Sequence, residues 1–197
     1  YEVDPLRKNL KMYWQNEKGE NYANAWNLKK EFEATVIELL FAVNAGMYNV
    51  SGAPQGLYIE NGEILVGLDR NESGYGNFYL QPNGVFYLTK NRVPQIKSTP
   101  RFAYSTDIQF ATQSGPMLIT KGEINQLFGV KSTNLNIRNG VGILPNGNVF
   151  FVQSKEKVNF YEFAQVFKNK GCENALYLDG YVSRTYLPEE EWEQLDG

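Results

Sequence analysis

Three of the chain's asparagine–glycine pairs, Asn61-Gly62, Asn83-Gly84 and Asn146-Gly147, constrain it more than any other feature. Each lies between β-branched or aromatic runs: "GLYIE" and "EILVGL", "NFYLQP" and "VFYLT", "GVGILP" and "NVFFVQS". A two-residue type I′ turn needs positive φ at both central residues, which Asn and Gly tolerate best, so each pair predicts a β-hairpin. Further strands are expected at 10–14, 40–43, 108–112, 117–120 and 175–178, where short apolar runs are bounded by turn residues.

Helices are fewer. Phe160, Phe163, Ala164 and Phe167 fall at i, i+3, i+4 and i+7 and predict a helix over 160–170. Asn159 caps its first turn with Glu162 reaching back, and Gly171 ends it. A second helix is expected at 26–34, a short one at 124–128, and a terminal helical turn within 187–196 that begins at the acidic run Glu189-Glu190-Glu191. The segment "TVIELL" before Asn44 also reads as a helix capped by Asn44 and Gly46. The expected fold is α+β: one strand-rich mixed domain over residues 1–197, several hairpins with a few covering helices, and residues 1–37 packed on it as an N-terminal strand and helix.

Composition narrows the chemistry. The chain is 42% hydrophobic and 21% charged, which places it among folded globular proteins. Its 19 basic and 22 acidic residues leave a net charge of -3, so no basic face for nucleic acid is expected. No apolar run reaches the roughly 20 residues of a transmembrane helix. One cysteine, Cys172, precludes an internal disulfide. Histidine is absent, which excludes serine–histidine–aspartate triads, cysteine–histidine dyads and histidine-ligated zinc within this chain. Hydrolysis here has to run on carboxylates, hydroxyls, amines or an oxygen-bound metal.

Four stretches carry such groups. In "ALYLDGYVSRTY" an apolar strand stops at Asp179-Gly180, followed by Ser183 and Arg184. A carboxylate just past a buried strand sits at a sheet rim, where ligands bind, although Asp-Gly is also ordinary turn chemistry. "FAVNAGMY" offers Asn44 and Gly46, and "TQSGPML" offers Ser114, Gly115 and Pro116. "NIRNGVGI" offers Arg138, suited to a bidentate grip on an oxyanion. Tyr13, Trp14, Tyr48 and Tyr58 are candidates for a sugar-stacking surface, with core packing the alternative. Glu60, Glu63, Asp69, Asp107 and Glu123 all stand open as a second carboxylate.

Read in order, "FAVNAGMY", "PQGLYIENGE", "TQSGPMLITKGEIN", "NIRNGVGILPNGNVFFV" and "NFYEFAQVFKNKGCENALYLDGYVSR" resemble the phosphodiester glycosidase family, over about residues 38–187. This is the family of the uncovering enzyme, N-acetylglucosamine-1-phosphodiester α-N-acetylglucosaminidase, and of many bacterial proteins. The resemblance implies hydrolysis of a sugar-1-phosphodiester in a glycan, releasing sugar and exposing a phosphomonoester. It assigns Asp179 as base or nucleophile, Arg138 as phosphate clamp, and Asn44, Gly46, Ser114, Gly115, Gly180, Ser183 and Arg184 to substrate binding. Tyr181 and Val182 stand where the family's motif has glycines, which leaves open a second reading: a glycan- or phosphate-binding module without turnover. No spacing here resembles a calcium loop, so no cofactor is expected, with a calcium- or magnesium-dependent phosphodiesterase using Asp179 and other carboxylates the third reading. The resemblance also implies an exported, periplasmic or secreted protein. The chain starts at Tyr1 instead of Met, which suits a removed leader.

Overall fold

The computed structural model describes residues 1–195 of the 197-residue chain. The first part is sparse in regular structure: β1 (Glu2–Val3), α1 (Ala25–Glu33) and β2 (Ala42–Val43). Then come β3 (Tyr58–Glu60), β4 (Glu63–Val66), β5 (Gly84–Thr89), β6 (Pro94–Ser98), β7 (Ile108–Ser114), β8 (Met117–Thr120) and β9 (Glu123–Ile124). The last part holds β10 (Asn139–Ile143), β11 (Val149–Gln153), α2 (Phe160–Asn169), β12 (Asn174–Tyr177), β13 (Thr185–Leu187) and β14 (Trp192–Glu193). The fold is α+β, as expected. No helix among the described residues is long and apolar enough to cross a membrane.

Three antiparallel sheets form. One has six strands in the order β1-β11-β10-β12-β8-β9, one has five in the order β4-β3-β7-β5-β6, and β14-β13-β2 make the third. The two large sheets share a core of Val3, Phe86, Leu88, Ile96, Phe110, Met117, Val141, Val149, Phe151, Leu176 and Leu178. On its other face the six-stranded sheet carries α2, whose buried Phe160, Phe163, Ala164 and Phe167 meet Leu118, Ile119, Ala175 and Tyr177. Strand geometry dictates this split, because successive side chains point to opposite faces. Ala175 and Tyr177 therefore face the helix while Leu176 and Leu178 face the second sheet. In β10 the helix-facing positions are Gly140 and Gly142. A Cβ on Gly142 would lie 2.7 Å from Phe167 and 2.8 Å from the Cys172 sulfur, so glycine sets how closely α2 docks.

Helix α2 begins as the sequence predicts. The Asn159 side chain accepts the Glu162 N–H at 2.9 Å, the Glu162 carboxylate accepts the Asn159 N–H at 3.1 Å, and Gly171 follows at φ 76°. Each buried phenyl ring on it contributes about 1.5–3 kcal/mol by leaving water.

The turns divide. Asn61 and Gly62 have φ of 51° and 85° and join β3 to β4 as a type I′ turn. The Asn146-Gly147 hairpin forms between β10 and β11, but as a three-residue loop. Only Gly147 takes positive φ, and its N–H donates to the Leu144 carbonyl at 2.9 Å. Asn83-Gly84 makes no hairpin. A 3-10 turn at Asn77–Tyr79 replaces the expected strand, and the Asn83 side chain is buried, donating to the Phe78 carbonyl at 3.1 Å. Gly84 is needed for space, since a Cβ there would strike the Met117 sulfur and the Lys97 carbonyl.

Four other expectations need correction. Residues 10–14 form an irregular strap: the Trp14 indole donates to the Gly52 carbonyl at 3.1 Å, and Leu10 and Met12 pack on the core without a ladder. The helix expected at 124–128 loses to Asn125, which accepts the Leu127 N–H at 3.0 Å and donates to the Met117 carbonyl at 3.0 Å. The "TVIELL" segment, residues 35–40, is not helical but runs as irregular chain into β2, just before Asn44. Of the terminal helix expected within 187–196, a single 3-10 turn at Pro188–Glu190 forms before β14, and position 196 lies outside the described residues.

Candidate active site

The three sheets meet at one end of β12. Past its last residue the Leu178 N–H donates to the Asn139 carbonyl and the Asn139 N–H donates to the Asp179 carbonyl, both at 2.9 Å, so Asp179 stays attached to β10. Ser114, the last residue of β7 in the five-stranded sheet, donates its hydroxyl to the Leu178 carbonyl at 2.5 Å. Asn44, just after β2, accepts the Arg184 N–H on its side chain at 2.8 Å. Its carbonyl accepts the Asn139 amide at 2.7 Å, and that amide also reaches the Ser183 hydroxyl at 3.2 Å. Asn44, Ser114, Asp179, Ser183 and Arg184, taken from distant parts of the sequence, thus form one constellation around Asn139.

The glycines of the constellation are close-approach positions. The Gly46 N–H donates to the Thr112 hydroxyl at 3.2 Å, and a Cβ there would collide with that hydroxyl and the Gln113 carbonyl. A Cβ on Gly115 would lie 2.7 Å from Asn83 and from the Phe78 carbonyl, and one on Gly180 would overlap the Tyr177 hydroxyl. Gly180 and Ser183 then close a tight turn, Ser183 N–H to Gly180 carbonyl at 2.8 Å, with Tyr181 and Val182 at its tip.

Two buried side-chain polar atoms on the adjoining strand ends, Asn139 Oδ1 and Asp179 Oδ2, lack a hydrogen-bond partner among the described residues, and the buried Arg138 guanidinium beside them meets the Tyr177 hydroxyl. Each such group costs about 1–3 kcal/mol, so their concentration on the adjoining ends of β10 and β12 marks a site shaped for something other than its own stability. Asp179 is held by one oxygen alone, Oδ1, which accepts the Gly180 N–H at 2.6 Å. Burial raises its pKa from the ordinary aspartate value, and the Gly180 N–H opposes the rise.

Arg138 differs from the expected clamp. Its guanidinium is fully buried and lies 3.6 Å over the Phe160 ring, with Nε donating to the Val158 carbonyl and Nη2 to the Asn134 carbonyl, both at 2.9 Å. Two of its three nitrogens are committed to main chain, so the bidentate fork is not available to a phosphate. Burial lowers its pKa from the usual arginine value. Beside it stands Tyr177, which sequence reasoning passed over as core. Its phenol is pushed up to about 12 by burial, with the Arg138 charge opposing and the Asp179 charge adding. Arg138 and Asp179 therefore flank one buried phenol at the same end of the molecule.

Among the open carboxylates, Glu60 accepts the Tyr58 hydroxyl at 2.9 Å and Glu123 pairs with Lys168 at 3.0 Å, while Glu63 and Asp107 are exposed. Asp69 is the one tied to a site strand, through Gln113, a second residue missed from sequence. The fully buried Gln113 side chain accepts the Leu57 and Asp69 N–H groups at 3.0 and 2.9 Å and donates to the Asp69 carbonyl at 2.6 Å and the Thr99 hydroxyl at 3.2 Å. Its signal was an amide between Thr112 and Ser114 at the polar end of β7. Gln113→Leu is expected to leave three main-chain groups unpaired and cost about 2–4 kcal/mol, read as a lower denaturation midpoint. The aromatic surface expected from Tyr13, Trp14, Tyr48 and Tyr58 does not assemble: Tyr58 is core and Trp14 packs edge-on against it at 6.1 Å. A separate cavity of about 40 Å³ is lined by Tyr1, Phe41, Phe151, Leu187 and Trp192, not by Asp179.

The phosphodiester glycosidase family model matches residues 38–194, which include all of these site residues. The uncharacterized protein YigE of Escherichia coli K12 is 42% identical over 188 residues, covering 95% of this chain and 73% of YigE. Among solved structures, the catalytic domain of zebrafish N-acetylglucosamine-1-phosphodiester α-N-acetylglucosaminidase, auto-inhibited by its pro-peptide, superposes with a TM-score of 0.54 at 21% identity over 75% of this chain. A hypothetical protein from Synechocystis gives a TM-score of 0.52 at 16% identity over 94% of this chain. The matches span 53% and 54% of those two solved chains, so this chain covers about half their length. With the family model covering most of its length, the chain belongs to the phosphodiester glycosidase family.

Proposed function

We propose that this chain hydrolyses the sugar-1-phosphodiester linkage of a glycan outside the cytoplasm. Water adds at the anomeric carbon, the bond from that carbon to the bridging oxygen breaks, and free sugar and a phosphomonoester leave. The observation that carries the reading is the pair of unpartnered buried acceptors, Asn139 Oδ1 and Asp179 Oδ2, at one strand end. A phosphate is already a good leaving group, so the reaction asks for charge stabilisation and one well-placed proton more than for a strong acid. Asp179, whose raised pKa favours the protonated form, gives its proton through Oδ2 to the departing oxygen and, once ionised, accepts one from water. Asn139 Oδ1 accepts a sugar hydroxyl. Arg184, whose guanidinium donates to the Val182 and Ser183 carbonyls of its own turn, is assigned to the phosphate, with Arg138 holding Tyr177 and the surrounding carbonyls in position.

The alternative of a silent binding module is not favoured by the turn that motivates it. Tyr181 and Val182 are 75% and 42% exposed at its tip, and neither side chain fills the buried end of β12. The test is ³¹P NMR of N-acetylglucosamine 1-(methyl phosphate) incubated with the protein, a probe chosen from the zebrafish relative's substrate. Methyl phosphate and free sugar are the expected products. Sugar 1-phosphate with methanol would make the protein a phosphodiesterase of another kind, and binding without turnover would make it the silent module.

A further inference from the structure

Two exposed tyrosines stand on loops that converge on the Tyr177 hydroxyl. Tyr181 is 75% exposed at the tip of the turn whose base, Gly180, touches that hydroxyl. Tyr75 is fully exposed in "GYG", and two residues on, the Asn77 side chain lies against the same hydroxyl. Both loops are fixed at their bases. The first is pinned by Ser183 and by the Arg184 N–H on Asn44, and the second by Asp69 on Gln113, by the buried Phe78, and by the Phe78 carbonyl seated on Gly115. Gly76, at φ 99°, lets the chain turn sharply just after Tyr75.

Exposed rings presented by anchored loops lose little freedom on binding, which is where tyrosine is most useful as a contact. The polar atoms at the end of β12, where both loops meet the Tyr177 hydroxyl, define the ligand. Asn139 Oδ1 and Asp179 Oδ2 are unpartnered, and the first is a pure acceptor that asks for O–H or N–H donors. The rings ask for a flat apolar surface. A pyranose supplies both, with hydroxyl donors around its edge and a C–H face. We propose that Tyr75 and Tyr181 are the two jaws of an aromatic clamp that holds a pyranose ring next to Asp179. The clamp rests on the reading of this end of β12 as a sugar site, but it makes no use of the bond that is cleaved.

The test uses Tyr75→Ala, Tyr181→Ala and the corresponding Phe variants, with binding of the methyl phosphodiesters of N-acetylglucosamine, glucose and mannose 1-phosphate measured by calorimetry. Both positions are exposed, so unchanged melting curves are expected. Each Ala variant is expected to bind its best probe about tenfold more weakly and, where turnover is measurable, to raise KM with kcat within about twofold, while the Phe variants behave as the parent. Ala variants that bind as tightly as the parent overturn the clamp, and so does a parent that binds none of the probes. A parent that binds a probe tightly through these tyrosines but leaves it uncleaved upholds the clamp and removes the hydrolase reading.

Discussion

Asp179→Asn is expected to slow phosphodiester cleavage about a thousandfold, the scale of a lost proton-transfer group, and to leave the protein more stable at neutral pH than its parent. The second half follows from linkage. The Asp179 pKa is raised in the folded state, so folding favours the protonated carboxyl. Its contribution to stability is fully present below the unfolded carboxylate value and is lost as pH rises through the folded one. Burial thus disfavours the ionised carboxylate in the folded parent, a cost that asparagine does not carry. Melting curves at pH 7 and near pH 3 check this: the variant should melt higher at pH 7, with the gap closing at acid pH. A variant that melts lower at pH 7 would mean that the carboxylate has a stabilising partner and that Asp179 is structural.

Arg138→Ala is expected to act in the opposite way, through the fold first. Removing the guanidinium strips the Val158 and Asn134 carbonyls of their donors and opens a cavity under Phe160. Together these cost about 3–5 kcal/mol, and at about 2–4 °C per kcal/mol for a chain of this size the melting temperature falls by about 10 °C. Arg138→Lys keeps the charge but not the planar fork, and should recover part of the loss. A melting temperature unchanged in Arg138→Ala, with activity gone, would restore Arg138 as a direct phosphate ligand.

How much of this was legible in the sequence depended on whether a local rule decided the matter. Helix α2 was readable because its apolar spacing, capping residues and Gly171 all agree, and the β3–β4 hairpin because nothing outside the turn competes for Asn61-Gly62. Asn83 misled because its amide has a tertiary use, holding the Phe78 carbonyl over Gly115, that no dipeptide rule contains. The position of Asp179 at a strand end was visible from "ALYLDG", and its convergence with Asn44, Ser114 and Ser183 was visible only through the ordered family motifs. The environment of Arg138 was not. Whether an arginine reaches outward or lies along an aromatic ring depends on Phe160 and Val158, some twenty residues away in the chain, and on the helix that carries Phe160. Tyr177 and Gln113 were hidden for a similar reason. A buried tyrosine and a buried amide look like ordinary strand residues until the groups they touch are known.

The most direct measurement is a crystal structure of the Asp179→Asn protein soaked with N-acetylglucosamine 1-(methyl phosphate), which that variant should bind and not cleave. The anomeric oxygen is expected within hydrogen-bond distance of the residue 179 side chain, with a sugar hydroxyl on Asn139 Oδ1 and the phosphate beside Arg184. Density for the intact diester in the apolar cavity lined by Tyr1, Phe41 and Trp192, with the end of β12 left bare, would contradict it.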